Sequence, residues 1–473
     1  MEAKTFEVKT AIIRGAEPVP VVVEARVMPG IPGVSITGMA DGAVFEARSR
    51  VRCALRSCGY ELPRTSVFIN LAPADMRKEG GHLDLPIAVA LLAVSGQIPT
   101  GWLDGCLLAG GLGLDGAVFA PQSAAAMQML AAAQGDALVT GGEAEVLGGC
   151  GACLSLGTLA DLRAGAGGAS PVPPVAPAPM ETLDFADISG EVVKRALAVA
   201  VAGGHGIALV GGSPARRRAI ARRIPSIMPA MTEGEMREAA RIHSAAGESI
   251  APLAAGARPF RSPSHAISCA GIVGGGRPVR PGEASLAHAG VLYLDDAGEW
   301  RLPGMQMLRT SGREGCVRIV RAEGIYEIPA RFQLVAGCEP CPCGGYGQRG
   351  AECRCSEAKV ERYRAVLAGR LLGAGAGMRV HVADGGSESG GWDSSDLRRM
   401  VERACSFAAG RGRYEGTVSK RCADFIGECS EARGIDPMRL RDISRTIADM
   451  DESEHIHLRH AQEASVYAIG RAI

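Results

Sequence analysis

The sequence predicts a mixed α/β protein: an N-terminal α+β unit, a parallel-sheet unit with helices on both faces, and a helical end. Three observations carry this. Residues 5–27 alternate apolar and polar side chains with β-branched enrichment, strand and helix patterns then alternate from 191 to 336, and charged, helically spaced sequence follows from Ser394 on. A chain of 473 residues is too long for one core. With 47% hydrophobic and 22% charged residues it reads as globular rather than disordered.

In order, residues 5–27 read as paired strands and Pro29-Gly30-Ile31-Pro32-Gly33 as a turn. Residues 41–58 carry helical spacing, with Val44, Ala47, Val51 and Leu55 on one face. A short strand over 66–71, an apolar helix over 85–95, and a strand, helix and strand within 107–140 complete the first unit. Residues 162–180, dense in Pro, Gly and Ala and low in charge, favour extended chain and predict a linker. Beyond it come a helix over 191–202, a strand over 206–210, a helix over 215–224, and strands over 290–294 and 331–336. The expected division is 1–161, a linker over 162–182, a parallel-sheet core over 183–385, and a helical end domain over 386–473.

Net charge is zero, so any contact with nucleic acid must come from local basic patches. Met1-Glu2-Ala3-Lys4 lacks the apolar stretch of a signal peptide. The longest apolar run, 85–94, is about half of the ~20 residues that a membrane span needs. The expected setting is therefore the reducing cytoplasm, with no membrane partner, where clustered cysteines point to metal rather than disulfides.

A series of phrases then runs through the chain. In the first unit they are Gly30-Ile31-Pro32-Gly33, Glu46-Ala47-Arg48-Ser49-Arg50-Val51-Arg52, Asn70-Leu71-Ala72-Pro73-Ala74-Asp75, Lys78-Glu79-Gly80-Gly81 and Asp84-Leu85-Pro86. Further on come Gly203-Gly204-His205, Pro259-Phe260-Arg261, Gly274-Gly275-Gly276, Pro281 to His288, Gly290 to Asp295, Pro329 to Ala336, Pro340-Cys341-Pro342-Cys343-Gly344 and Arg445-Thr446-Ile447-Ala448-Asp449. In type and order these phrases resemble the Mg-chelatase-like AAA+ proteins of the competence ComM and YifB type. The resemblance implies a ribosomal S5 domain 2 type (Lon-protease-like) first domain, a P-loop AAA+ core and a helical lid. It also implies ATP with Mg²⁺ as cofactors, a hexameric ring, and work on branched DNA during transformation.

The residues at the implied nucleotide site depart from what the chemistry needs. A phosphate loop uses glycines to wrap the β-phosphate, a Lys for the β/γ charge and a Ser/Thr for Mg²⁺. Laid on the family loop, Gly211, Gly212 and Ser213 fit. Pro214 and Arg216 fall at later glycine positions, Arg217 takes the Lys place and Arg218 the Thr place. Pro removes a donor, Arg at a glycine position disfavours positive φ, and a guanidinium has no lone pair for Mg²⁺. Arg217 remains able to attract a phosphate. Asp295 fits the Mg²⁺-side carboxylate, and Asp296 stands where the family has the Glu that orients water. Shortening that base by one methylene misplaces it on the order of 1 Å, enough to cost roughly 10²-fold.

Glu339 stands at the sensor Asn position and would repel a γ-phosphate. The finger stretch, Gly373-Ala374-Gly375-Ala376-Gly377-Met378, is uncharged and reads as flexible, with Arg379 a weak substitute. The lid sensor Arg falls near Ile435, with Arg433 and Arg439 beside it. The first reading is a homologue impaired in ATP hydrolysis, a regulatory or structural ring subunit beside an intact paralogue. An ATPase with divergent motifs and a nucleotide-independent DNA-binding module are the alternatives.

In the first domain no Ser occupies the Lon-type nucleophile place, the dyad Lys position falls in the run around Ala124-Ala125-Ala126, and His82 and Asp84 read as turn and cap residues. Cys341-Pro342-Cys343 and Cys353-Arg354-Cys355 offer four thiolates on a Gly-rich loop, a set suited to structural Zn²⁺, with Cys338 a fifth contender. Arg216, Arg217, Arg218, Arg222 and Arg223, and separately Arg309, Arg313, Arg318 and Arg321, form basic clusters. They read first as solvated or salt-bridged faces and second as DNA contacts. His243, His265 and His288 read as packed or hydrogen-bonded.

Overall fold

The computed structural model describes residues 5–38, 42–179, 181–348, 352–383, 391–412 and 418–472. Strands Thr5–Arg14 and Glu17–Met28 pair antiparallel across a turn at Gly15, which takes φ 68°. Val21, Val23 and Ala25 point into the core while the residues between them stay more exposed, the period-2 pattern of a one-sided sheet. The sheet has eight strands, in the order Ser170–Pro171, Cys153–Ser155, Ala137–Thr140, Cys106–Leu108, Thr5–Arg14, Glu17–Met28, Ser66–Ala72 and Gly33–Thr37.

Helix Gly42–Ser57 buries Ala47, Val51 and Leu55, as its spacing predicts; the side chain of Val44 lies outside the described residues. Helix Asp84–Val94 is buried at every position, because it packs against both that helix and the sheet. Its first residue, Asp84, accepts from Arg50 Nε at 2.7 Å and from a terminal nitrogen of Arg50 at 3.0 Å.

The predicted linker needs correction at its start. Leu159–Gly168 forms a 3₁₀ segment that buries Leu162, and Ser170–Pro171 adds an edge strand to the sheet. Two anchors, the buried Leu162 and the backbone pairing of Ser170–Pro171, outweigh the Gly/Ala composition. The extended chain begins only near Val172, and even there Val175 N–H donates to Val146 O at 2.9 Å and Ala178 N–H to Ala251 O at 3.2 Å.

The second sheet is parallel, in the order Phe260–Arg261, Val291–Leu294, Gln333–Cys338, Gly206–Val210 and Ala376–His381. Alternate residues of its strands feed two cores. Ile207, Leu209, Tyr293 and Val335 pack with helices Glu191–Gly203 and Pro214–Ile227, whereas Ala208, Val210, Leu294 and Ala336 pack with helices Leu302–Glu314 and Glu357–Ala374. Helices Ser394–Arg411, Lys420–Arg433, Pro437–Met450 and Leu458–Tyr467 close the chain. They dock through Leu397, Val401, Ile443 and Ile447 onto the first of these cores. Hairpin Cys316–Arg321/Gly324–Pro329 leans on the N-terminal unit, where the Arg14 guanidinium lies 5.1 Å from the Tyr326 ring centre.

One contact between the sheet and the end helices carries a pH signature. His205 Nε2 lies 2.8 Å from Thr446 Oγ1, and burial pushes the ring's pKa from 6.5 down to about 4. Below pH 6.5 the unfolded chain takes up a proton that the folded chain refuses, so stability falls as pH drops and levels off below about 4. The loss in this window should be no more than about 3 kcal/mol. His205→Gln should flatten the slope in denaturant titrations across pH, and an unchanged slope would assign the loss to other groups.

Candidate functional site

The central strand Gly206–Val210 runs into Gly211 and Gly212, at φ 81° and 63°. Both positions need glycine, since an L side chain is strained there. Space is short as well: a Cβ on Gly211 would lie 2.0 Å from Nε2 of Gln348. Ser213 caps helix Pro214–Ile227, its hydroxyl accepting from Arg216 N–H at 3.4 Å, and Pro214 sits at the first helical position, where its missing N–H costs nothing. Two glycines and a Ser-Pro cap thus make a tight strand-to-helix turn.

The helix carries Arg217 inward, to zero exposure. One terminal nitrogen donates to Gly212 O at 2.7 Å and Gly211 O at 3.3 Å; the other reaches Glu339 Oε1 at 2.9 Å and Asp296 Oδ1 at 3.4 Å. Burial opposes the charge, but Glu339, Tyr293 and Asp295 together outweigh it and hold the guanidinium above its ordinary pKa. Arg218, half exposed, lies 3.6 Å from Asp295 Oδ2. The other oxygen of Asp295 accepts from Tyr293 OH at 3.0 Å and Asp296 N–H at 3.1 Å. Asp296 itself sits at φ 47°, left-handed for a non-glycine residue. Finally, Gly212 N–H donates to Gln348 Oε1 at 3.3 Å. Three carboxylates, two guanidiniums and an amide from the chain itself fill the space around the loop.

Next to it stand the four cysteines. Sγ of Cys341 lies 3.5 Å from that of Cys343 and 3.7 Å from that of Cys353, Cys343 and Cys353 are also 3.7 Å apart, and all four sulfurs including Cys355 fall within 4.8 Å of one another. A tetrahedral zinc with bonds of about 2.3 Å would separate its sulfurs by about 3.8 Å, so the donor set fits such an ion in type, number and spread. Backbone N–H groups of Gly345 and Arg354 lower the Cys343 thiol to about 6, whereas Cys353, beside the other thiols, is pushed up to about 11. Cys338 is no fifth member, because its buried Sγ faces Leu209 O at 3.8 Å.

Residues 184–384 match the family model of magnesium chelatase, subunit ChlI, and residues 23–141 match a second model, subunit ChlI of Mg-chelatase. The chain is 33% identical to the uncharacterized protein YifB of Salmonella typhimurium and 34% to that of Escherichia coli, each over 98% of this chain and 97% of the relative. It is 31% identical to the competence protein ComM of Haemophilus influenzae, over 94% of both chains. The chain belongs to the Mg-chelatase-like ComM/YifB family. The mixed α/β architecture with its mostly parallel second sheet agrees with that membership.

Against the family's pattern, three expectations change. Arg217 is not a cation presented to a phosphate; it is buried and paired. Glu339, expected as a repulsive charge facing the γ-phosphate, is instead the anchor of Arg217. Nor is the finger stretch a loose loop: Gly373 and Ala374 end helix Glu357–Ala374, and Ala376–His381 is the edge strand. Ile435 is buried, while Arg433 and Arg439 donate to Ser465 O and Ile469 O. Gln348 carried no signal, since the sequence places it 136 residues from Gly212.

In the ChlI-matched first domain, His82 Nε2 lies 3.0 Å from Ala11 O and Asp84 is held by Arg50, so both are structural. His243 bonds to Leu286 O at 2.9 Å and His288 Nδ1 accepts from Arg331 N–H at 3.2 Å. Arg222 and Arg223 pair with Glu181 and Asp187, whereas Arg318 pairs with Glu327 on the hairpin. No helix among the described residues is long and apolar enough to cross a membrane.

Proposed function

We propose that the chain is a ComM/YifB-type AAA+ protein that keeps the nucleotide-site architecture and has lost or nearly lost ATP turnover. It serves as a regulatory or structural subunit of a hexameric ring, beside an intact paralogue, in the cytoplasmic DNA remodelling ascribed to the family. The observation that carries this reading is Arg217. A P-loop lysine must reach outward to the β- and γ-phosphates. Arg217 has no exposed surface, and its terminal nitrogens are held by Gly211 O, Gly212 O, Glu339 and Asp296. Arg218 and Asp295 pair where Mg²⁺ would bridge the loop hydroxyl and the strand-end carboxylate.

Titration with labelled ATP and Mg²⁺ should show no saturable binding in the micromolar range, and phosphate release should stay at background with or without branched DNA. Micromolar, Mg²⁺-dependent binding would overturn the reading. The DNA part is tested separately, by filter binding to branched and linear DNA across a salt series, where phosphate contacts give a steep slope.

Zinc belongs to the same reading as a structural ion on Cys341, Cys343, Cys353 and Cys355. Protein purified without chelator should carry about one zinc per chain. Cys341→Ser with Cys353→Ser should abolish it; unchanged metal content would reassign the cluster as free thiols.

A further inference from the structure

The four-cysteine cluster and the phosphate loop touch at two places. Glu339, which holds Arg217, lies two residues before Cys341, and a Cβ on Gly344 would meet Glu339 Oε2 at 3.0 Å, so the cysteine turn packs directly on that carboxylate. Gln348, which accepts from Gly212 N–H, is placed by the same turn. Its own N–H donates to Gly345 O at 3.3 Å, Tyr346 N–H donates to Cys341 Sγ at 3.3 Å, and Gly345 backs onto Glu352 and Cys353. The side chain of Gln348 crowds the loop: a Cβ added at Gly211 would run into its Nε2, so any larger residue at that glycine would displace it.

We infer that the cysteine cluster is a metal-dependent stopper for the phosphate loop: with a thiophilic divalent cation bound, it holds Gln348 on Gly212 and Glu339 on Arg217, and loss of the cation releases both. The inference rests on the zinc reading above. The four sulfurs lie within 4.8 Å of one another, and a cation held by all of them is the cross-link that closes the turn. Without it the two cysteine pairs are no longer tied together and the ends of the turn regain chain entropy. Gln348 then leaves the loop, which frees the Gly212 N–H. Glu339 loses its backing, which frees an Arg217 terminal nitrogen toward solvent. The opened site presents a backbone donor and a cation together, the combination that takes a phosphoryl group.

The test uses the full-length chain as purified, with metal content measured by elemental analysis and amide exchange followed by mass spectrometry. Stripping zinc with a chelator should speed exchange across 211–218 by at least tenfold and leave strand Ser66–Ala72 unchanged. Gln348→Ala should speed exchange at Gly212 with zinc content unchanged, and the half-open variant Cys343→Ser, at an exposed ligand, should reproduce the chelator's effect in a chain that still melts cooperatively. Inorganic pyrophosphate should then slow exchange of 211–218 in the stripped protein alone. Stoichiometric zinc whose removal leaves 211–218 unchanged would overturn the coupling and spare the zinc reading. Protein that neither contains nor takes up zinc would overturn both.

Discussion

Replacing Arg217 with methionine should cost about 3–5 kcal/mol, read in urea as a lower midpoint for the transition of the parallel-sheet core. Methionine keeps most of the buried stem's bulk, so the loss isolates the charge. Without it, Glu339 and Asp296 face each other across a space that water only partly reaches, and Gly211 O and Gly212 O lose their donor. Half-exposure of Asp296 places the expected value toward the lower end. Two comparisons sharpen it. Arg218→Met removes a pair whose guanidinium is already 54% exposed and should change little, within about 0.5 kcal/mol. Adding Glu339→Gln to Arg217→Met should restore part of the loss, because the orphaned carboxylate is then gone. A loss below about 1 kcal/mol in the single variant would mean that the network contributes nothing to the fold.

Repair of the loop has the second large effect. The variant Pro214→Gly, Arg216→Gly, Arg217→Lys and Arg218→Thr restores the cradle glycines, the lysine and the Mg²⁺ hydroxyl. It leaves Gln348 on Gly212 N–H and Glu339 against the new lysine, so its Mg·ATP affinity should improve only modestly. Adding Gln348→Ala and Glu339→Asn removes both obstacles. That six-site variant should bind at least tenfold more tightly than the four-site one, about 1.4 kcal/mol by calorimetry. Hydrolysis should remain poor, because Asp296 is still one methylene short and no finger arginine is supplied. Equal affinity of the two variants would show that Gln348 and Glu339 do not obstruct the loop.

How far the sequence disclosed this follows from the range of the interactions involved. Period-2 alternation placed the first hairpin, and the apolar run placed helix Asp84–Val94, because burial on a local element writes itself into neighbouring residues. The phosphate loop, the strand-end Asp295 and the four cysteines were legible as motifs, each a short stretch or a pair of them. What those residues do to one another was not. Arg217 and Glu339 are 122 residues apart, and only the parallel register of Gly206–Val210 with Gln333–Cys338 brings them together. Read singly, Arg217 was a cation still able to attract a phosphate and Glu339 a charge that would repel one; their pairing is a tertiary fact. Composition misled at 162–171 for a related reason, since Gly and Ala report backbone freedom and say nothing of the partner strand at Cys153–Ser155.

The pairing of Arg217 with Glu339 and Asp296 also sets the mutational routes open to this protein. Loss of Arg217 strands two carboxylates at once, whereas loss of either Glu339 or Asp296 leaves the guanidinium its other partner. The route back to a phosphate-binding loop then runs through changes at three separate places in the chain: the helix start, Glu339 after strand Gln333–Cys338, and Gln348. A step that replaces Arg217 while Glu339 and Asp296 remain passes through a less stable chain, which holds the loop in its present state.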